Sequence, residues 1–388
     1  MSHLLTVLLV AGVLAVNGQR SAAPLPSFTT VINLETTSED SANVSMGDLD
    51  GDGDLDLVLA KGRHKPLLDR VLLNDGSGKF TASDLGPTAD RTYTTALADL
   101  DGDGDLDILS SNDTPDKKLV YLNDGKGHFA VAGTWGVPEW STRNASVADL
   151  NGDGKPDVIA ANRPGPSFAC LNKGGGQFGS DCIPIPAQSA TTIAAADFNK
   201  DGFIDLAVPG RDAGQSHIYF NDGKAGFAKR ASFGPADATA RVGAAADFNR
   251  DGSMDLVMTD ERGTSTTVYL NDGKGTLAPG FRVRDVKRVP YALTVGDLNA
   301  DGTPDIVIGY VEAPSAVFFN DGTGRQYTPV TFGDGKGTAY GFAIGDINGD
   351  KLPDIALARS DAPNVLYLSS VGQPRAGRPE GLNYAKEK

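Results

Sequence analysis

Seven times along the chain, four oxygen-bearing side chains fall within nine residues, at positions 1, 3, 5 and 9. The first two copies are wholly acidic: Asp48, Asp50, Asp52 and Asp56, then Asp99, Asp101, Asp103 and Asp107. The next five carry Asn at position 3: Asp149, Asn151, Asp153 and Asp157; Asp197, Asn199, Asp201 and Asp205; Asp247, Asn249, Asp251 and Asp255; Asp297, Asn299, Asp301 and Asp305; Asp346, Asn348, Asp350 and Asp354. Crowding three or four carboxylates in this way costs repulsion unless a cation sits among them, and hard oxygen donors at alternating positions suit calcium. Gly at position 6 of the first six copies allows the sharp turn around an ion. A plain Asp-Gly turn needs one or two such residues, not four in fixed places seven times over. An EF-hand is excluded, because its loop requires a bidentate Glu at position 12. This chain has Leu59, Ser110, Ala160, Val208, Met258, Ile308 and Leu357 there. The formal net charge is −15, and seven Ca2+ ions would add +14 to leave −1. The acidity therefore needs no basic partner, and nucleic-acid binding is disfavoured.

The elements that must hold these loops follow from the spacing. Copies begin 51, 50, 48, 50, 50 and 49 residues apart, the mark of a repeat architecture. Before each loop lies a run of small and apolar residues, and the residue directly before the first Asp is Gly47, Ala98, Ala148, Ala196, Ala246, Gly296 or Gly345. Small side chains there suit innermost strands crowded round an axis. After each loop comes a continuously apolar run, such as residues 55–60 or 306–308, as expected of strands buried on both faces. A third strand (residues 71–73, 120–122, 268–270) enters a second recurring phrase, Asn74-Asp75-Gly76-Ser77-Gly78-Lys79-Phe80 in the first period. Further copies begin at Asn123, Asn172, Asn221, Asn271 and Asn320, and a fourth strand leaves each. Asn-Asp-Gly supplies the positive φ that tight hairpins demand. Four antiparallel strands per period predict an all-β chain, a seven-bladed β-propeller.

The ends fit a closed ring. The seventh period lacks the Asn-Asp-Gly phrase, and residues 28–32 align with the fourth strand of other blades. They are expected to complete the last blade. Residues 1–18 read as a secretory signal, with an apolar run over 4–16 and a small residue at Gly18. Residues 19–27 form a linker, 28–370 the propeller, and 371–388 a tail rich in Pro, Gly and charge that is expected to be disordered. No apolar run reaches the roughly 18–20 residues of a membrane span. The chain is expected outside the cytoplasm, secreted or periplasmic, as a monomer. Cys170 and Cys182 flank a glycine-rich turn, so a local disulfide is expected in an oxidising compartment, with two buried thiols as the alternative.

With the acidic loops and the Asn-Asp-Gly-x-Gly-x-Phe turns in view, residues from about 28 to 370 resemble the FG-GAP/VCBS repeats of integrin α-subunit propellers and of related bacterial and fungal proteins. The resemblance implies one calcium ion per blade, up to seven, in the loop joining the first two strands on the lower face. The seventh loop departs from the pattern, with Lys351 where Gly is expected. Members include adhesion receptors, lectins and polysaccharide lyases, and a shared fold does not choose among them.

If calcium loops line the lower face, the remaining loops form the upper one. They carry Arg63, Arg91, Arg143, Arg163, Arg211, Arg241, Arg262, Arg288 and Arg359. Six residues before the first Asp of each loop stand Tyr93, Arg143, Arg241, Tyr291 and Tyr340, with Ala42 and Thr191 in the other two blades. Such a ring at the channel mouth would stack on and hydrogen-bond an acidic sugar; a plugged entrance is the alternative. Trp135 and Trp140 share one upper loop beside Arg143 and are expected to add stacking surface. The reading is a ligand-binding or adhesion module for a glycan or an extracellular protein surface. The alternatives are a carbohydrate-active enzyme, such as a lyase using Tyr93, Tyr291, Tyr340 or His64 on an acidic polysaccharide, and a scaffold that only presents loops.

Overall fold

The computed structural model describes residues 24–372, except 188 and 213. The expected export signal lies outside the described residues, as do residues 19–23 of the linker and 373–388 of the tail. Within them the chain folds into 28 strands in seven four-stranded antiparallel sheets, a seven-bladed β-propeller. Six sheets run from an innermost strand outward in sequence order, so those blades are meanders; in the seventh the N-terminal strand takes the outermost place.

Burial follows the sequence pattern. The second strand of a blade is covered on both faces, as in Asp56–Lys61 and Asp107–Asn112, where every residue is buried. Outermost strands face water, as in Phe80–Asp84. The core therefore lies between blades. Val58 and Val71 of the first blade pack with Ile108 and Tyr121 of the second. The small residue before each acidic loop is required by this closeness: a Cβ on Gly47 would stand 2.6 Å from the side chain of Leu106 in the next blade.

Ring closure is made by the N-terminal strand. Ser27–Asn33 pairs antiparallel with Val365–Ser370 and becomes the outermost strand of blade seven. Just beyond it, Glu35 and Glu39 both hold the ammonium of Lys61, whose side chain is only 1% exposed. Cys170 and Cys182 are bonded, with their Cα atoms 4.4 Å apart, which ties the two arms of the blade-three hairpin together.

The first Asn of each Asn-Asp-Gly phrase has a role beyond the turn. Its side-chain amide donates to the position-2 carbonyl of the preceding blade: Asn123 to Leu49, Asn172 to Leu100 and Asn221 to Leu150, each at 2.8 Å. Asn74, Asn271 and Asn320 do the same at the same distance, to Ile347, Phe198 and Phe248. Six of the seven seams are stitched in this way.

Candidate functional site

Each acidic loop joins the innermost strand of a blade to the next. Its conformation is set by positions 4 and 6, which have positive φ in all seven loops. Gly fills most of these places, but Lys200, Arg250 and Ala300 take position 4 at φ of 60°, 58° and 55°. Lys351 takes position 6 at 71° and donates its N–H to Asp346 at 2.7 Å, the contact that Gly53 makes to Asp48 at 3.1 Å. The seventh loop thus keeps the common turn despite its missing glycine.

The carboxylates organise the loop. In the first, Asp48 accepts the N–H groups of Gly51 and Gly53, and Asp50 and Asp52 accept those two residues ahead. Asp56 accepts Leu49 N–H on one oxygen and Asn74 N–H on the other, both at 2.8 Å. Its equivalents are all completely buried, and burial pushes the Asp56 carboxyl up to about 6. One ligand oxygen from each of Asp48, Asp50 and Asp56 lies within 4.8 Å of the others, and the same holds for Asp99, Asp101 and Asp107. Among the described residues no Lys or Arg pairs with these six carboxylates. An all-oxygen set of this density fits a hard divalent cation. In each of the other five loops the Asp at position 5 is engaged by a side chain. Lys155 pairs with Asp153 at 2.8 Å, and in loops four to seven the Asn at position 3 donates its amide to the Asp at position 5.

At the opposite end of the innermost strands, all seven positions six residues before the loops line one cavity of about 60 Å³. Tyr93, Arg143, Arg241, Tyr291 and Tyr340 are brought together there, with Ala42 and Thr191 completing the ring. The reason is a recurrent irregularity. In six blades the pairing of the innermost strand shifts register at this residue. A bulge inserts one unpaired residue and re-aims its side chain.

The ring is internally bonded. Arg143 pairs with Asp113 at 2.8 Å, its guanidinium 4.5 Å from the Tyr93 ring centre. Arg241 lies 3.3 Å from the centre of Tyr291 and shares the Glu261 carboxylate with Arg211, at 3.1 and 2.8 Å. The hydroxyls of Tyr291 and Tyr340 are 3.2 Å apart, and Arg63 caps Tyr340 at 4.1 Å. His64 Nε2 meets the Tyr93 hydroxyl at 2.9 Å, and its Nδ1 stands 3.5 Å from Asp113. Burial, then the Arg143 and Arg63 charges, hold His64 below its usual range, whereas burial pushes the Tyr93 and Tyr340 hydroxyls up. At neutral pH the mouth therefore holds a neutral imidazole and neutral phenols among guanidinium groups.

Two residues expected to serve the ligand do not face it. Trp135 is 1% exposed and donates its indole N–H to Ser110 O at 3.0 Å, so it belongs to the core between blades two and three. Trp140 stacks on Phe168 with centroids 4.2 Å apart and planes 6° off parallel. Gly136 crowds the same indole so closely that a Cβ there would come within 2.6 Å. Apolar packing has taken both tryptophans. Conversely, Asp113 and Glu261, which set the electrostatics of the ring, carried no sequence signal beyond their place in the upper loops.

Overlapping segments 48–110, 99–160, 149–208, 197–258, 247–308 and 297–357 match the family model of an FG-GAP-like repeat. No curated protein sequence matches the chain. Among solved structures, a chain from a crystal structure of BBS1N in complex with ARL6DN, soaked with mercury, superposes with a TM-score of 0.60 at 13% identity, covering 91% of this chain and 98% of that one. The lead-soaked form of the same complex gives 0.62 at 12%, covering 92% and 99%. At such identities the likeness is one of fold.

Proposed function

The chain belongs to the FG-GAP-like repeat family, and from that membership we propose that it is a calcium-stabilised, extracytoplasmic binding propeller. Its upper face would engage a glycan or a protein surface through the channel mouth. The observation that carries this reading is the convergence of seven equivalent residues, six of them at bulges, on one polar cavity. A ring built in six of its seven places by the same backbone irregularity presents function-bearing side chains on a rigid scaffold. Calcium is supported by the unneutralised carboxylate clusters at Asp48 and Asp99, export by the apolar segment before the propeller and the bonded cysteines. A protein partner is supported by the structural neighbour BBS1N, which is in complex with ARL6DN. The test is a glycan array and a surface-protein screen with the whole chain, repeated with Arg241→Ala. Binding that survives this change intact would place the site elsewhere.

A second reading, elimination on an acidic polysaccharide, is favoured by one contact, His64 to Tyr93 at 2.9 Å. Neutral His64, oriented by its hydrogen bond to the Tyr93 hydroxyl, would abstract the proton beside a uronate carboxylate. The bond to the glycosidic oxygen then breaks, a carbon–carbon double bond forms, and water protonates the leaving oxygen. Ultraviolet absorbance of the unsaturated product tests it. Turnover that disappears in Tyr93→Phe supports an enzyme; no absorbance change on any uronate polymer removes the reading.

A further inference from the structure

Seven of the nine upper-face arginines named from the sequence are paired with carboxylates: Arg91, Arg143, Arg163, Arg211, Arg241, Arg288 and Arg359. Arg262 is exposed. Arg63 is the exception that matters. It is half-buried, stacked on Tyr340 of the mouth, and its guanidinium donates to the Ser360 hydroxyl at 2.6 Å. Its Nε is buried without any partner among the described residues. Thr191 Oγ1, on the cavity wall, is likewise buried and unpartnered. Buried polar atoms left unpaired in this way are costly, so a group that satisfies them is attracted to the spot.

The charge at the mouth says which group. Arg63, Arg143, Arg211 and Arg241 contribute four positive charges, Asp113 and Glu261 two negative, and His64 is held neutral, leaving an excess of two. A space of about 60 Å³ takes a carboxylate or a few waters, but no sugar ring. The ring faces of Tyr93, Tyr291 and Tyr340 are already covered by guanidinium groups, so the site recognises an anion, not an aromatic-stacked sugar. Around the cavity stand further hydrogen-bonding groups, the amides of Asn43 and Asn144 and the hydroxyls of Tyr291 and Tyr340. Of those two bonded hydroxyls, one proton remains free to donate outward. A carboxylate surrounded by hydroxyls matches this pattern; an acidic peptide side chain brings only methylenes beside its carboxylate.

Resting on the reading of the upper face as a binding site, we propose that the channel mouth seats the carboxylate of a uronate sugar. Arg63 is its principal anchor, with the sugar ring lying above the cavity. The experiment is calorimetric titration of the full chain with trigalacturonate, with the trimethyl ester of the same trimer, and with triglutamate. The acid trimer should bind at least about tenfold more tightly than its uncharged ester, since a charge-assisted hydrogen bond exceeds the 1.4 kcal/mol that tenfold represents. Arg63→Met, which retains packing on Tyr340, should weaken the acid trimer by about tenfold and leave the ester unchanged. Thr191→Val, nearly isosteric, should weaken it by a smaller factor, and both variants should melt with the parent. Equal binding of acid and ester, or parental affinity in both variants, overturns the inference. Triglutamate binding that Arg63→Met abolishes, without trigalacturonate binding, also overturns it while leaving the upper face as the binding surface. If none of the three probes binds, the uronate inference falls, and the array with Arg241→Ala decides the wider reading separately.

Discussion

Asn320 in blade six donates its side-chain amide to Phe248 O in blade five at 2.8 Å, and Ser369, its counterpart in blade seven, makes no such bond. The correspondence is fixed by the backbone. Asn320 N–H donates to Asp305 and Ser369 N–H to Asp354, at 2.9 and 2.7 Å. The serine hydroxyl is buried and unpartnered, and too short to take the Asn role. The seam between blades six and seven therefore lacks the stitch that the other six have. It lies in the blade that the N-terminal strand closes.

Ser369→Asn should restore the stitch, with Leu298 O as the acceptor at the equivalent position. A net hydrogen bond contributes about 1 kcal/mol, so the melting temperature should rise by a few degrees. Asn123→Ala should do the reverse and cost more, because it strands the carbonyls of Leu49 and Leu106. Thermal melts of both variants under one buffer check this. A Ser369→Asn protein no more stable than its parent would show that the seam is satisfied by other means.

Calcium should raise the melting temperature, because the ion binds folded loops and not the unfolded chain. Extracellular modules often bind at about 10⁻⁴–10⁻³ M, so the shift should appear in the millimolar range. Loops one and two, with Asp at position 3 and no neutralising partner, should fill first. Asp50→Asn and Asp101→Asn convert them to the pattern of the other five and should move the onset to higher calcium. Identical melting curves in chelator and in millimolar calcium would sink the metal assignment.

Much of this architecture was legible in the sequence, and the limits have physical causes. A period near 50 with four strand-sized pieces leaves only a closed ring of blades, and the missing seventh turn phrase pointed to the N-terminal strand as its completion. Counting six residues back from each Asp found the ring at the mouth without any knowledge of the bulges that aim it. What stayed hidden depends on neighbours distant in sequence. Trp140 lies beside Arg143 in the chain, but its stacking partner Phe168 comes from the next blade's third strand. The arginines looked available because Asp113 and Glu261, which neutralise Arg143 and Arg241, sit in other loops. Only the folded arrangement separates Arg63 from the paired set.

Asp69 should make stability depend on pH in the direction opposite to ordinary acid denaturation. Burial pushes its carboxyl up to about 7 from 3.8, although Lys61 N–H and the Thr92 hydroxyl both donate to it, at 2.7 and 2.8 Å. Between about pH 4 and 7 the folded protein holds a proton there that the unfolded chain has lost, so this group's stabilising contribution falls as pH rises through that window. Asp69→Asn keeps an acceptor for Lys61 N–H and cannot titrate. Melts of parent and variant should diverge as pH rises from 5 to 8, with the parent losing stability relative to the variant, by an amount on the order of 1–3 kcal/mol. Parallel curves would mean that Asp69 stays ionised in the fold.

Trp140 separates packing from recognition at the upper face. Its indole stacks on Phe168, and its carbonyl accepts the ammonium of Lys118 at 2.7 Å. That lysine is buried without a carboxylate partner among the described residues, held by backbone carbonyls that include Pro138 of the same loop, and burial pushes it down to about 8. Losing the indole should loosen the loop that satisfies this charge. Trp140→Ala is therefore expected to cost about 3 kcal/mol of stability while leaving trigalacturonate affinity within about twofold of the parent, since hydrogen bonds to the anion come from other residues. Trp140→Phe, which can still stack on Phe168, should recover most of the stability. Thermal melts and titrations on the same preparations decide it. If Trp140→Ala melts with the parent but binds at least about tenfold more weakly, the indole is a ligand contact, and its stacking on Phe168 must open when ligand arrives.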